Sequence, residues 1–358
     1  MGRANFIFAG FCALALAVAT VVVAGAQDLP IRDPDGVVVP TYVRLPIILL
    51  IAWLIDVVPR ALARSRTRFG EFPAAVRQII SERWHRTHVV FAVSGLGTWY
   101  VCYAAFRNLK SYVPFVRGKN TLYDDDLADL DHKLWFGHDP ANVLHSLFGT
   151  HWSAEFFSAV YVVWIVLIPV TLAIALMWTR RPAAGAWYVT AVAVDWLLGV
   201  AAYFAVPTLG PAYSKPGDFS RLHHTYTTQL VQDLMSDRKK VLANPHATDA
   251  VQTIAAFPSL HVGMMVTICL FVTVAGLARW IRVTAWVYLV LTILSTIYMG
   301  WHFSVDALGG AVIGALAVWI AAIGTGNHVR GRPTLIERGT HEDPVDESHR
   351  NAAATRPA

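Results

Sequence analysis

Long apolar runs are the feature that most limits how this chain can fold. A helix needs roughly 20 mostly apolar residues to cross the ~30 Å hydrocarbon layer of a membrane. Only 15% of the 358 residues are charged, against about 25% in soluble domains. Eight runs approach the required length, and they lie near residues 5–25, 42–58, 88–106, 154–178, 184–206, 259–278, 281–300 and 303–323. The sequence therefore predicts an all-α integral membrane protein with about eight transmembrane helices.

The two ends of the chain differ from its centre. The first run ends in Ala24-Gly25-Ala26, which resembles a signal-peptidase site, but its length favours an uncleaved span. Residues 324–358 are polar and lack apolar periodicity, so we expect a disordered tail there. The predicted domains are then residues 1–87 with two spans and a loop, residues 88–323 with six spans, and the tail.

Arginines are concentrated in alternate connections between the runs. The segment between the second and third runs contains only two glutamates, and its arginines are Arg60, Arg64, Arg66, Arg68, Arg77, Arg83 and Arg86. Basic residues accumulate on the cytoplasmic side of membrane proteins. We therefore expect both termini to be cytoplasmic and the two long connections, 107–153 and 207–258, to be extracytoplasmic.

The first long connection predicts a helix that lies on the membrane surface. Leu127, Leu130 and Leu134 recur at helical spacing and would form its apolar side. The aspartates of this predicted helix are expected to face water, and they are Asp124, Asp125, Asp126, Asp129 and Asp131. The second long connection starts with a turn-rich stretch, TLGPAYSKPG, and is expected to continue as a polar helix over 219–242.

Two histidines, an aspartate, a serine and several cations fall at the same predicted membrane face. Pro258-Ser259-Leu260-His261 opens the sixth run. His302 follows directly after the seventh run, and Asp306 lies at the start of the eighth. Because these two residues are four apart, they would lie on one face of a helix. The third run ends on the same side in a cationic stretch that contains Arg107, Lys110 and Arg117.

These residue types fit phosphoryl transfer. A carboxylate at Asp306 would fix the tautomer of His302 and make its other ring nitrogen a better nucleophile. His261 could act as general acid and then as general base, since the ordinary pKa of histidine is about 6.5. The three cations could hold phosphate oxygens. Ser259 is a good helix N-cap, and with the free N–H groups of the helix start it could also donate to an anion.

The first two motifs resemble those of the type-2 phosphatidic acid phosphatase superfamily. Its signature is Lys-x6-Arg-Pro, then Pro-Ser-x-His, then Ser-Arg-x5-His-x3-Asp, on a six-helix core. Lys110 and Arg117 keep the spacing of the first motif, but Gly118 replaces its proline. Pro258 to His261 matches the second motif in full.

The third motif is matched with one departure. Ser295, His302 and Asp306 stand at its expected positions, but Thr296 replaces its phosphate-binding arginine. The resemblance covers roughly residues 88–323, so these six spans would form the catalytic domain.

In lacking this arginine, the chain resembles one branch of the superfamily. That branch is the lipid head-group transferases, such as inositol phosphorylceramide synthase and sphingomyelin synthase. The ending HFSVD resembles that branch as well. The resemblance implies that His302 is the nucleophile, His261 the general acid and base, and Asp306 the orienting carboxylate. Arg107 is our candidate for the cation that replaces the missing arginine.

The predicted function is head-group transfer through a phospho-histidine intermediate, without a metal or another cofactor. Expected substrates are a phospholipid or a polyprenyl phosphate in the bilayer, with a polyol or sugar as candidate acceptor. We expect no nucleic acid and no obligatory protein partner. A lipid phosphate phosphatase, in which water is the acceptor, stays open as an alternative. A non-enzymatic lipid-binding or flippase protein is more remote, since such a protein would be expected to have a broken His-His-Asp set.

Asp195 lies in the middle of the fifth run, apart from the other ionisable residues. A carboxylate inside a membrane is costly and is usually paired. We expect a structural role for it, with a bond to a polar neighbour on another span, while a functional role stays open.

Overall fold

The computed structural model describes residues 5–34, 41–66, 68–118, 121–179 and 181–336. These residues form thirteen α-helices: α1 (Ile7–Gln27), α2 (Thr41–Arg64), α3 (Phe72–Arg83), α4 (Arg86–Arg117), α5 (Asp124–Leu134), α6 (Pro140–Phe148), α7 (Trp152–Ala173), α8 (Pro182–Ala205), α9 (Pro211–Ser214), α10 (Tyr226–Ala243), α11 (Leu260–Val274), α12 (Arg279–Tyr298) and α13 (Ser304–Thr325). A π-helical turn, Ile174–Trp178, extends α7, and a 3-10 turn, Pro216–Phe219, follows α9.

Six helices among the described residues are long and apolar enough to cross a membrane, which confirms the predicted all-α membrane class. They are α1, α4, α7 with its π-helical turn, α8, α12 and α13. The predicted span 42–58 falls on α2, where the side chains of residues 41–45, 48 and 49 lie outside the described part of the structure. The predicted span 259–278 is shorter than expected, because α11 has only 15 residues.

The centre of the bundle is α8. About two thirds of its apolar window, 67%, is buried inside the protein, against 28–39% for the other five candidate spans. It packs against α1, α4, α11 and α13. The outer faces of α1, α7 and α12 carry exposed large apolar side chains, as expected for surfaces that contact lipid. The bundle therefore has its core at α8 and its lipid-facing surface around it.

Glycines allow α11 and α13 to approach closely. A Cβ atom added to Gly310 would overlap the Ser259 carbonyl oxygen, and one added to Gly314 would overlap that of Gly263. Small residues at helix contacts permit such close packing in membranes. The start of α11 is therefore held directly against the first turns of α13.

The predicted surface helix exists as α5, but two of its aspartates do not face water. Asp124 and Asp131 are buried, whereas the other three aspartates of the helix are exposed. Leu130 and Leu134 are exposed too, on the side expected to rest on the membrane. The prediction of water-facing side chains is wrong for Asp124 and Asp131. Residues seven apart lie on one side of a helix. Here that side faces the backbone of the loop before α9 and of the start of α13.

The polar helix of the second long connection starts later than the predicted 219–242. It is α10, and Thr225 is its N-cap residue. The Thr225 hydroxyl accepts a hydrogen bond from the Thr228 N–H at 3.3 Å, and the Thr228 hydroxyl accepts one from the Thr225 N–H at 2.7 Å. This reciprocal capping satisfies two free N–H groups and fixes the helix start.

Beyond α13 the chain forms a short hairpin. Strand β1 (His328–Val329) pairs antiparallel with β2 (Arg332–Pro333). This is ordered structure within the segment 324–358, for which the sequence predicts disorder. Residues 337–358 of that segment lie outside the described residues.

Candidate active site

The two histidines singled out in the sequence meet at one end of the bundle. His261 lies in the first turn of α11, and His302 lies between α12 and α13. The distance from His261 Nδ1 to His302 Nε2 is 2.9 Å, and that from His302 Nδ1 to Asp306 Oδ2 is 3.2 Å. A carboxylate accepts the proton of Nδ1, so the lone pair of His302 is on Nε2. The three side chains thus form one continuous line of hydrogen bonds.

Backbone contacts hold Asp306 in place. Its Oδ2 atom also accepts the Phe303 N–H at 2.9 Å, and its carbonyl oxygen accepts the Ser259 N–H at 3.0 Å. Ser259 is fully buried, and its hydroxyl accepts the Val262 N–H at 3.4 Å. Ser259 therefore caps α11 and ties the start of that helix to the first turn of α13.

Thr296 holds the turn that carries His302. Its carbonyl oxygen accepts the N–H groups of Trp301 at 2.9 Å and of His302 at 3.2 Å. Its hydroxyl donates to the Ile293 carbonyl at 3.0 Å. The residue at the position of the expected arginine thus has a structural task, and its only hydroxyl proton is already engaged.

The three candidate cations of α4 have different positions. The Lys110 Nζ atom is 4.7 Å from the centroid of the Tyr203 ring, and its charge is close enough to act on both histidines. Arg107 is half-buried and close enough to interact with Lys110. Arg117 is exposed at the end of the helix and forms no hydrogen bond or ion pair with a described residue. It lies about 10 Å beyond Lys110 along the axis, so the structure does not bring it into the histidine cluster.

The electrostatic environment favours a neutral nucleophile. Burial lowers the pKa of His302 well below its ordinary value, and the neighbouring His261 and Lys110 act in the same direction. Only the neutral ring has a lone pair on Nε2. The ring is therefore in the form that can attack a phosphorus atom once a substrate takes the place of the His261 Nδ1–H, which Nε2 accepts in this structure.

Two aromatic rings pack against the side chain of His261. The ring of Trp164 is 4.3 Å away and that of Tyr161 5.1 Å away, measured between ring centroids. The Trp164 indole N–H donates to the His261 carbonyl at 3.2 Å. Tyr161 also stacks on Trp301, with 4.9 Å between the centroids. These rings were not predicted as site residues, since aromatic residues are frequent throughout a membrane protein.

The buried aspartates of α5 support the site from outside. Asp131 accepts the N–H groups of Ser304 at 2.6 Å and Val305 at 3.0 Å, which are free donors at the start of α13. Asp124 accepts two N–H groups of the loop 207–210 at 2.8–3.0 Å. Burial raises the pKa of Asp124, and these N–H groups act in the opposite direction. The seven-residue spacing of Asp124 and Asp131 is the feature of the sequence that could have shown that both face the same side of the helix.

A small recess opens beside His302. Its charged lining includes Asp139, Lys215 and Asp218, and Phe219 provides an aromatic side. The distance between the Lys215 Nζ and an oxygen of Asp139 is 3.8 Å. Within the described ranges no group of three or more His, Cys, Asp or Glu side chains is arranged to hold a metal. The recess has room for about one water molecule beside the nucleophile.

Asp195 lies apart from this cluster, deep in the core. It is fully buried on α8, and its Oδ2 accepts the Thr267 hydroxyl of α11 at 2.8 Å. Thr267 is thus the expected polar neighbour on another span. The contact links the two helices and involves none of the predicted site residues.

A comparison with protein families gives one match. A family model described as the PAP2 superfamily matches residues 125–320, which is more than half of the chain. The matched part includes His261, His302 and Asp306, whereas Lys110 and Arg107 precede it. Neither a curated protein nor a solved structure matches the chain.

Proposed function

Because the chain belongs to the PAP2 superfamily, we propose that it is a membrane lipid phosphotransferase. Membership indicates an enzyme of the lipid phosphatase or phosphotransferase type. The proposed substrate is a phospholipid or a polyprenyl phosphate, and the proposed reaction transfers its head group to an alcohol acceptor through a phospho-histidine intermediate.

The line of hydrogen bonds from His261 through His302 to Asp306 carries this proposal. In the first step, His302 Nε2 attacks phosphorus, the bond to the leaving oxygen breaks, and the protonated form of His261 gives that oxygen its proton and becomes neutral. In the second step, His261 takes the proton of the acceptor hydroxyl, whose oxygen attacks phosphorus and breaks the P–N bond. Asp306 holds the Nδ1 proton of His302 throughout and stabilises the positive ring.

The direction of α4 supports an extracytoplasmic site. This helix has 32 residues and is about 48 Å long at 1.5 Å per residue. It begins beside the arginine-rich segment, and Lys110, about two turns before its end, is close enough for its charge to act on the histidines. Since basic segments stay on the cytoplasmic side, we propose that the histidines and the long connections face the opposite side, with both termini in the cytoplasm.

A phosphatase is the second candidate, and the recess beside His302 favours it. The recess has room for about one water molecule next to the nucleophile. Against this, His302 itself is only 4% exposed. Restricted access of water favours an alcohol acceptor, so transfer is the first choice.

The test compares the purified wild-type protein with His302→Ala. Each is incubated with phospholipids and polyprenyl phosphates, with and without inositol, glycerol and sugars, in the presence of EDTA. Mass spectrometry follows the lipids, and a colorimetric assay follows free phosphate. A new lipid phosphodiester formed only by the wild type supports transfer, and free phosphate alone supports the phosphatase.

Asp195→Asn is a useful companion variant, since this residue lies outside the proposed machinery. It should retain activity if it folds. Equal activity of His302→Ala and the wild type would contradict the proposal, because the nucleophile would then be another group.

A further inference from the structure

Three buried donors near the histidines have no hydrogen-bond partner among the described residues. They are the indole Nε1 of Trp301, the hydroxyl of Tyr213 and the Nε of Arg107. Buried polar groups are almost always hydrogen-bonded, so an exception beside a candidate site is informative. Trp301 is the clearest case, because its side chain is 93% buried, with only 7% of the residue exposed.

The two aromatic donors are connected to His261 through a series of ring contacts. Trp301 directly precedes His302 in the chain and stacks on Tyr161, with an angle of 10° between the rings. Tyr161 in turn contacts the His261 ring. The Tyr213 ring lies edge-on to Trp301, with 6.3 Å between the centroids. The Trp301 ring is therefore linked to the proposed acid and base through Tyr161, and Tyr213 is linked to it through Trp301.

The three unpartnered donors come from separate elements of the fold. Arg107 lies on α4, Tyr213 on α9, and Trp301 in the turn between α12 and α13. Trp301 directly precedes the proposed nucleophile, and Tyr213 contacts the Trp301 ring. Unpartnered donors in such a place fit an anion, since phosphate oxygens accept several hydrogen bonds at once.

We propose that the Trp301 indole N–H and the Tyr213 hydroxyl bind oxygens of the phosphoryl group that is transferred. They would take the place of the arginine for which this chain has Thr296, whose hydroxyl is engaged with Ile293. This inference rests on the proposed phosphoryl transfer at His302. It assigns two neutral donors to the same anion that Lys110 and Arg107 would hold by charge.

The experiment measures the dissociation constant of orthovanadate, a phosphate analogue, by calorimetry on the full-length protein in detergent. Trp301→Phe and Tyr213→Phe each remove one donor and keep an aromatic ring. Each should weaken binding about tenfold or more, since a hydrogen bond to a charged group has that effect. Trp99→Phe is the matched control. Its indole N–H also lacks a partner among the described residues, but it lies on α4 about 12 Å before Arg107 along the axis.

Folding is checked by the elution volume and the melting temperature of each variant without orthovanadate. If Trp301→Phe does not fold, Tyr213→Phe decides, because it removes only one oxygen atom. If both variants bind orthovanadate as tightly as the wild type, the inference is overturned and the proposed function is unaffected. The same holds if Trp99→Phe weakens binding as much as Trp301→Phe does. A wild-type protein that neither binds orthovanadate nor forms a lipid product would contradict the proposed function itself.

Discussion

The spacing of Lys110 and Arg117 in the sequence suggests that both bind phosphate, but the structure favours this role for Lys110 alone. Both cations lie on one face of α4, but only Lys110 is close enough for its charge to act on the histidines. We expect Lys110→Met to lower kcat/KM about 10- to 100-fold, because charge-assisted hydrogen bonds to phosphate are lost. Arg117→Gln should change it less than about threefold, since the side chain is exposed and an exposed charge is well screened. Steady-state kinetics of both variants, with the lipid that the wild type converts, provides the measurement.

Equal losses in the two variants would contradict this assignment. They would mean that the end of α4 moves towards the histidines when substrate binds. The melting temperature of each variant, measured without substrate, controls for a loss of structure at the buried Lys110.

The sequence predicts reactive side chains better than the groups that support them. His261, His302 and Asp306 can be identified because their chemistry demands these residue types at a definite spacing. Trp301 and Tyr213 cannot, because tryptophan and tyrosine are common at membrane interfaces whether or not they bind a substrate. What distinguishes these two residues is a buried donor in the ring contacts next to the histidines that has no hydrogen-bond partner among the described residues. That combination is visible only in three dimensions.

At the scale of helices, α5 holds the start of α13 in place through hydrogen bonds to Asp131. Asp131 accepts two backbone N–H groups there and the Ser304 hydroxyl at 2.7 Å. Asp131→Ala would leave buried donors unsatisfied, at a cost of about 1–3 kcal/mol. We expect a lower melting temperature in detergent and reduced activity, because the same turn positions Asp306.

Asp129→Ala is the matched control for this prediction. It lies on the same helix but is exposed, and exposed substitutions usually change stability by no more than about 0.5 kcal/mol. If Asp131→Ala melts at the temperature of the wild type, α5 does not stabilise the start of α13.

The helices themselves follow from apolar length, but their mutual contacts do not. The runs in the sequence predict where most spans begin and end. They do not show that Gly310 and Gly314 let α13 lie against α11, since glycine has several uses in a chain. They also do not show that Asp124 and Asp131 turn inwards. The partners of these carboxylates are backbone N–H groups, which every residue except proline has.

The molecule as a whole has an arginine-rich end and a histidine end, joined by α4. Part of the positive charge is neutralised within the protein. Asp56 is buried and accepts hydrogen bonds from Arg83 at 3.1 Å and from the Trp84 indole at 3.0 Å, and it also pairs with Arg60. Even so, this segment has more arginines than acidic residues. Its charge therefore still favours the cytoplasmic side, and the proposed site then lies on the other.

Labelling with a membrane-impermeant maleimide tests this orientation. The three native cysteines are buried, so the background should be low. Asp125→Cys introduces a thiol at an exposed position of α5, and Gln78→Cys does so on α3. In spheroplasts of the expression host, Asp125→Cys should be labelled and Gln78→Cys should not, whereas both should be labelled after lysis. The reverse pattern would place the histidines in the cytoplasm, where a water-soluble acceptor made inside the cell would reach His302 directly.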